Sequence, residues 1–368
     1  MIRTRRFWLG IGFSVFLLAM FLFTIDLGRM AEALANANYV FLIPGIAMYL
    51  LSMLCRALRW RVLLEHLKPI SVTRLFPAVI VGYMANSLLP MRLGELVRCY
   101  YLGQREDISK TSTFATILSE RVLDALTLIL IIGVMAAFVP LGGLAEAFGE
   151  RSGVPWLLLV VALSVPFLFA FGTLLMLAIY AARARSLASV LVGLLPERAE
   201  TPLLALIELF LVGLAPLRHP RKLAVLLLLT IPIWVSEASL FFFIGFVFNL
   251  NQVYANLGEM IVATLLVTSI ADLGSAVPGA PGGTGLFELV ARETLVYLPF
   301  GEVDRAIAGA YAVVVHAASA LPVICLGLII IWTHHLSLNR LAGVEPGIAE
   351  EPGIDGQPVV LSNEDRQG

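Results

Sequence analysis

An apolar stretch that starts near Leu75 stops at Asn86-Ser87-Leu88-Leu89-Pro90 and turns charged at Arg92, Glu95 and Arg98. That is about fifteen apolar residues, against the ~20 needed to cross a bilayer as helix. Pro90 has no N–H and biases Leu89 away from helix, and Gly94 loosens the turn that follows. Inside a membrane a broken backbone is tolerated only where protein or a water-filled cavity surrounds it. The stretch therefore predicts a half-helix that enters, breaks and returns. On a helical continuation Arg92, Glu95 and Arg98 share about a third of the circumference.

The surroundings are membrane-like. Of 368 residues, 59% are hydrophobic and 14% charged, against ~25% charged in a soluble domain. The expected fold is an all-α polytopic membrane protein over residues 1–342, with a disordered cytoplasmic tail at 343–368 rich in proline, glycine and acids. Full spans are expected at about 7–27, 39–60, 113–139, 156–180, 223–248 and 306–332. The first run is too long for the apolar core of a signal peptide and is read as an uncleaved helix. Clusters at Arg3, Arg5 and Arg6, at Arg56–Arg74, and at His334, His335 and Arg340 place both termini in the cytoplasm of a cell (inner) membrane. A net charge of −1, with no basic tract, gives no case for nucleic acid. Cys55, Cys99 and Cys325 lie scattered in apolar segments, so neither a disulfide framework nor a metal site is expected. No cofactor is implied.

A second interrupted segment covers 260–297, where Met260–Val277 meets Pro278-Gly279-Ala280-Pro281-Gly282-Gly283-Thr284-Gly285. Pro90 precedes Gly94 by four residues, with Glu95 and Arg98 beyond; Pro281 precedes Gly285 by four, with Glu288 and Arg292 beyond. Three full spans separate the two segments, which inverts the second relative to the first. Paired broken segments point to a transporter site at a repeat interface; the bland alternative is two loops between short spans. Backbone N–H groups of the second break would suit an anion, although any hairpin between half-helices also needs glycine.

Charges inside spans have to pair or face water. Glu120, Arg121 and Asp124 fall on one helical face, either as an Arg121–Asp124 bridge that locks helices or as a device that orients Arg121 toward a substrate. Arg56 and Arg59, one turn apart near the end of the second span, read as snorkelling, topology-setting groups or as members of the site. Glu237 and Asp272 have no partner nearby in sequence. His316 reads as a hydrogen-bonded core histidine or a proton relay.

Four motifs occur in order: Arg56-x-x-Arg59-Trp60; Gly82-x-x-x-Asn86-x-Leu88-Leu89-Pro90-x-Arg92-x-Gly94-Glu95-x-x-Arg98; Glu120-Arg121-x-x-Asp124; and Pro278-Gly279-x-Pro281-Gly282-Gly283-x-Gly285-x-x-Glu288. In these the chain resembles the flippase-like transmembrane domain of lysylphosphatidylglycerol synthase, over roughly residues 7–335. For the two-domain members of that family, the resemblance implies movement of an aminoacylated phospholipid between leaflets, beside a separate aminoacyltransferase domain. No counterpart of that domain is read here, so aminoacyl transfer is not expected. The expected function is movement of an anionic phospholipid or a polyprenyl-linked lipid. Arg92, Arg98 and Arg121 are the candidate phosphate ligands, because guanidinium forks match phosphate oxygens. Glu95, Glu120, Asp124 and Asn86 would support them, and Asp272, Pro278, Gly282, Gly283, Gly285 and Glu288 would form the opposite wall. The competing readings are an intramembrane lipid transferase or phosphatase with Glu95, Asp124 or His316 as base, a scaffold for lipid-biosynthesis enzymes, and an ion or solute carrier. No catalytic motif supports the enzyme.

Overall fold

The computed structural model describes residues 12, 16, 18–89, 93–139, 156–193, 197–275, 281–333, 351–352 and 358–359. Most of the expected first span, the 140–155 loop, Pro90, Arg92 and Pro278 lie outside the described residues, as does the tail apart from a two-residue strand pair. Residues 18–23 are helical, and Asp26 then caps α1 (Leu27–Ala35) by accepting the N–H groups of Gly28 and Arg29. A short 3-10 turn, Tyr39–Phe41, leads into α2 (Leu42–Leu64).

The first broken segment is α3 (Val72–Leu88) followed by α4 (Gly94–Glu106). Leu89 is extended at φ −107, ψ 141, as the residue before a proline is driven to be. Asp107, in the left-handed region at φ 52, ends α4. Ser109 then caps α5 (Lys110–Ala136). Next come α6 (Trp156–Ile179), α7 (Ala181–Val192) and α8 (Glu197–Gly213). Pro220 at its first position opens α9 (Pro220–Val247). The second broken segment is α10 (Leu257–Ser275) and α11 (Leu286–Tyr297), and α12 (Arg305–Thr333) follows.

This is an all-α polytopic membrane protein. By length and composition, four helical stretches are able to cross a membrane: Tyr39–Leu64, α9, α10 and α12. The pair Ser164–Ile179 and Ala181–Val192 passes the same test together but bends by 96°. At 27 residues α5 is also long enough, but it carries Glu120, Arg121 and Asp124 in its middle.

Packing follows a repeated scheme. The central contact is α2 on α9. Around it α3 packs on α12, and α10 packs on α5, so each outer span holds the first half of the other broken segment. Lipid tails are as apolar as leucine, so helix association here leans on close approach and polar pairing. A Cβ at Gly327 would overlap the Met84 side chain, and one at Gly213 the Ser112 carbonyl. Polar pairing is concentrated where α2, α4, α5 and α9 meet.

Candidate functional site

Positions 56 and 59 lie one turn apart on α2, and 120 and 124 one turn apart on α5, so each helix offers two charges to the other. Arg59 donates from Nη1 to Asp124 Oδ1 at 2.7 Å and to Thr230 Oγ1 at 2.9 Å. Its Nε lies 3.8 Å from Glu120 Oε1. Arg56 donates from Nη1 to Asp124 Oδ2 at 3.2 Å and from Nη2 to Glu237. Neither arginine snorkels, since Arg56 is 3% exposed and Arg59 0%. A guanidinium buried this deeply is stable only because carboxylates meet it, from α5 and α9 for Arg56 and from α5 for Arg59. That is also how Glu237 finds the partner its own sequence neighbourhood lacks.

Arg98 is held the same way. It donates to Glu120 Oε2 at 2.7 Å and lies 3.6 Å over the Trp60 ring, whose indole N–H is donated to Thr116. The sequence reading places Arg98 on a phosphate; here it is 3% exposed and engaged by Glu120 and Trp60. Arg121 is held more loosely. It donates to Tyr83 Oη at 3.0 Å, sits 3.6 Å from Asp124, and has 25% of its side chain exposed against 4% for Arg98. Within this network four arginines (56, 59, 98, 121) meet three carboxylates (120, 124, 237), and two more carboxylates, Glu95 and Asp272, line the adjoining cavity.

Beside the network lies a cavity of about 390 Å³. One wall is Arg56 and Tyr49 of α2 with Arg121 and Asp124 of α5. Another is the end of α3, through Tyr83, Asn86 and Ser87, with Glu95 of α4. Opposite stand Asp272 and Ser275 of α10, then Gly282 and Gly283, and His316 and Ser319 of α12. Trp234 and Glu237 of α9 close a further side. The two breaks touch: a Cβ on Gly282 would sit 3.5 Å from the Ser87 carbonyl oxygen and 3.3 Å from His316 Nε2.

Each break is held by its own side chains. Asn86 Oδ1 accepts the Gly94 N–H at 2.8 Å, and Asn86 Nδ2 donates to Glu95 Oε1 at 3.2 Å. A Cβ at Gly94 would overlap the Gly82 carbonyl, so the close return of the chain needs glycine there. In the second break Gly282, Gly283 and Gly285 take φ of 61, 75 and 88, open to glycine and strained for other residues. Gly285 donates its N–H to Glu288 Oε2 at 2.7 Å, and Glu288 Oε1 meets His316 Nδ1 at 2.6 Å. The expected anion nest is thus altered at Gly285, whose N–H is already satisfied by a carboxylate of its own chain. Glu288 itself stands behind His316 and does not face the cavity.

Of the predicted residues, Asn86, Glu95, Arg121, Asp124, Asp272, Gly282 and Gly283 share the cavity, as do Arg56, Glu237 and His316. Arg59, Arg98, Glu120, Gly285 and Glu288 support it from behind. Arg98 and Arg292, the matched ends of the two spaced motifs, are both buried over an aromatic ring, Trp60 at 3.6 Å and Phe21 at 5.0 Å. Sequence reasoning missed Tyr49, Tyr83, Trp234 and Phe287. Tyr83 carries a usable signal, since it sits three residues before Asn86 on the half-helix face that meets the break. Among the described residues no group of histidine, cysteine and acidic side chains is arranged to hold a metal ion.

A family model described as the lysylphosphatidylglycerol synthase TM region matches residues 7–327. A UPF0104 membrane protein of Methanothermobacter thermautotrophicus is 30% identical over 133 residues, covering 34% of this chain and 39% of its own length. A protein named glycosyltransferase AglD, from Haloferax volcanii, is 28% identical over 338 residues, 85% of this chain and 52% of its own. A UPF0104 membrane protein of Pyrococcus horikoshii is 24% identical over 311 residues, 82% of this chain and 89% of its own. The chain thus spans 39% and 52% of the lengths of the first two. No solved structure matches.

Proposed function

This chain belongs to the lysylphosphatidylglycerol synthase TM-region family, and from that premise we propose that it moves a lipid with an anionic phosphate, a phospholipid or a polyprenyl-linked lipid, between the leaflets of the cell membrane. The observation that carries the reading is the meeting of the two broken segments, Ser87 against Gly282, at a cavity into which Arg56 and Arg121 project. A phosphate cannot cross ~30 Å of hydrocarbon unaided. A polar chamber between half-helices shortens that path while the tails stay in lipid.

In this reading Arg121 is the principal phosphate ligand, because it lines the cavity with 25% of its side chain exposed and its ion pair among the described residues, with Asp124, is long at 3.6 Å. Arg92, which lies outside the described residues, is a second proposed contact. Arg56 lends charge but is itself held by Glu237 and Asp124. Arg59, Arg98, Glu120 and Asp124 position these groups. Both termini face the cytoplasm, as the arginine and lysine clusters require.

The relative named a glycosyltransferase favours a second reading, an intramembrane transferase acting on a lipid. Glu95 is the acid for it, since it lines the cavity with a buried Oε2 that has no hydrogen-bond partner. Proteoliposomes with labelled lipids, analysed for leaflet position and for chemical identity, separate the two. Exchange of unaltered lipid supports transport; altered lipid supports an enzyme; neither activity removes both.

A further inference from the structure

The cavity is two-sided. Facing the charges of α2 and α5, a different set of residues lines the same space: Leu128 of α5, Phe167 of α6, Trp234 of α9 and Leu273 of α10. These four belong to a small apolar cluster separate from the main core, in which Ile129, Ile131 and Ile132 are half-buried. On the opposite faces of the same two helices Leu130 is 65% and Phe169 74% exposed. Polar space and apolar cluster are therefore contiguous through Leu128, Phe167, Trp234 and Leu273.

Phe167 stands at the passage. It reaches the cavity from α6, which packs on α5. The residue before it, Pro166, lies within the helix and removes one helical hydrogen bond at that level. A bend at this point moves Phe167 relative to Leu128 without unfolding the helix.

We propose that the gap between α5–α6 and α9–α10 is a hydrocarbon-tail site: the acyl or prenyl chain of a lipid whose phosphate sits near Arg121 leaves the cavity there, past Leu128, Phe167 and Leu273. This rests on the transport reading for its purpose, but not for its occupancy. The chemistry selects the ligand. A charged headgroup has its charged partners in the cavity, whereas the cluster offers it only the indole N–H of Trp234; a hydrocarbon chain has its partners in the cluster. Phe167, as the residue that narrows the gap, also sets how bulky a chain passes.

The test uses the full chain in liposomes of phosphatidylethanolamine and phosphatidylglycerol. A trace of phosphatidylglycerol carries a photoreactive diazirine on one acyl chain, and adducts are mapped by mass spectrometry. Outer residues such as Phe169 will be labelled by surrounding lipid in any case. The site predicts additional adducts at Leu128, Phe167 or Leu273, reduced at least fivefold by Leu128→Trp, with Phe169 labelling unchanged. Adducts confined to the outer face, or inner adducts insensitive to Leu128→Trp, would overturn it. Leaflet exchange is measured on the same vesicles. Phe167→Trp should slow it more than tenfold and Phe169→Trp should not. If inner adducts appear but wild-type protein exchanges no lipid, the tail site stands and the transport reading falls.

Discussion

Arg59 and Asp124 meet at 2.7 Å in the interior between α2 and α5, and Asp124 is the acid that three arginines share. Removing one member of a buried pair costs about 3–5 kcal/mol, because the remaining charge is left without a partner. Asp124→Ala leaves Arg56, Arg59 and Arg121 facing one another. The expected result is loss of most folded protein and a sharp drop in the thermal midpoint of whatever remains in detergent. Spacing alone suggests that exchanging Arg121 and Asp124 keeps a bridge and a stable protein. With Arg56 and Arg59 already on Asp124, the exchange sets a third guanidinium directly against those two in place of their shared acid, and is expected to destabilise as much as Asp124→Ala.

Arg98→Lys separates support from binding. Lysine has no planar fork to lie over Trp60 while reaching Glu120. Thermal stability should fall by about 1–2 kcal/mol, a cation–π contact of the desolvated kind. Lipid exchange per folded molecule should stay within twofold of wild type. A stable variant with tenfold lower exchange would instead return Arg98 to the phosphate.

The first break depends on Asn86, which closes the turn by accepting the Gly94 N–H. Leaving that group unmet costs about 1–3 kcal/mol. Asn86→Ala should speed amide hydrogen exchange at residues 94–97 by at least tenfold, with α9 unaffected. Equal protection in variant and wild type would show that the turn is held by something else.

How much of this was legible in sequence depended on the kind of signal. The broken segments were legible because proline, glycine and early charge act locally: Leu89 is extended and Gly285 turns at positive φ, as their neighbours dictate. The identity of the buried charges was legible for the same reason, since membrane charges are too costly to be incidental. Their pairing was not. Arg56 finds Glu237 across 181 residues and Arg98 finds Glu120 across 22, and only helix packing brings those together. The same limit hid the Glu120 and Trp60 contacts of Arg98, and hid Trp234, whose aromatic character in an apolar helix carries no mark of facing a cavity.

His66 gives a pH test outside the spans. It follows α2, and its Nε2 lies 2.8 Å from the Val212 carbonyl oxygen, as a donor in the neutral tautomer. Burial holds its pKa below the ordinary value of 6.5. Between the lowered value and ~6.5 the unfolded chain binds the extra proton, so stability rises with pH there. The contribution is complete above pH ~6.5 and fades as pH falls. Thermal midpoints should drop from pH 7 to pH 5, and His66→Gln should flatten that drop; an unchanged slope would dissociate it from His66.

The central claim is that the cavity between the two breaks carries a lipid phosphate past Arg121. Leaflet exchange of headgroup-labelled phosphatidylglycerol in proteoliposomes, compared for wild type, Arg121→Lys and empty vesicles, tests it most directly. The account predicts exchange well above empty vesicles for wild type and at least tenfold less for Arg121→Lys, with equal folded protein in both, because lysine keeps the charge but loses the fork. Wild-type exchange no faster than empty vesicles, or Arg121→Lys indistinguishable from wild type, would contradict it.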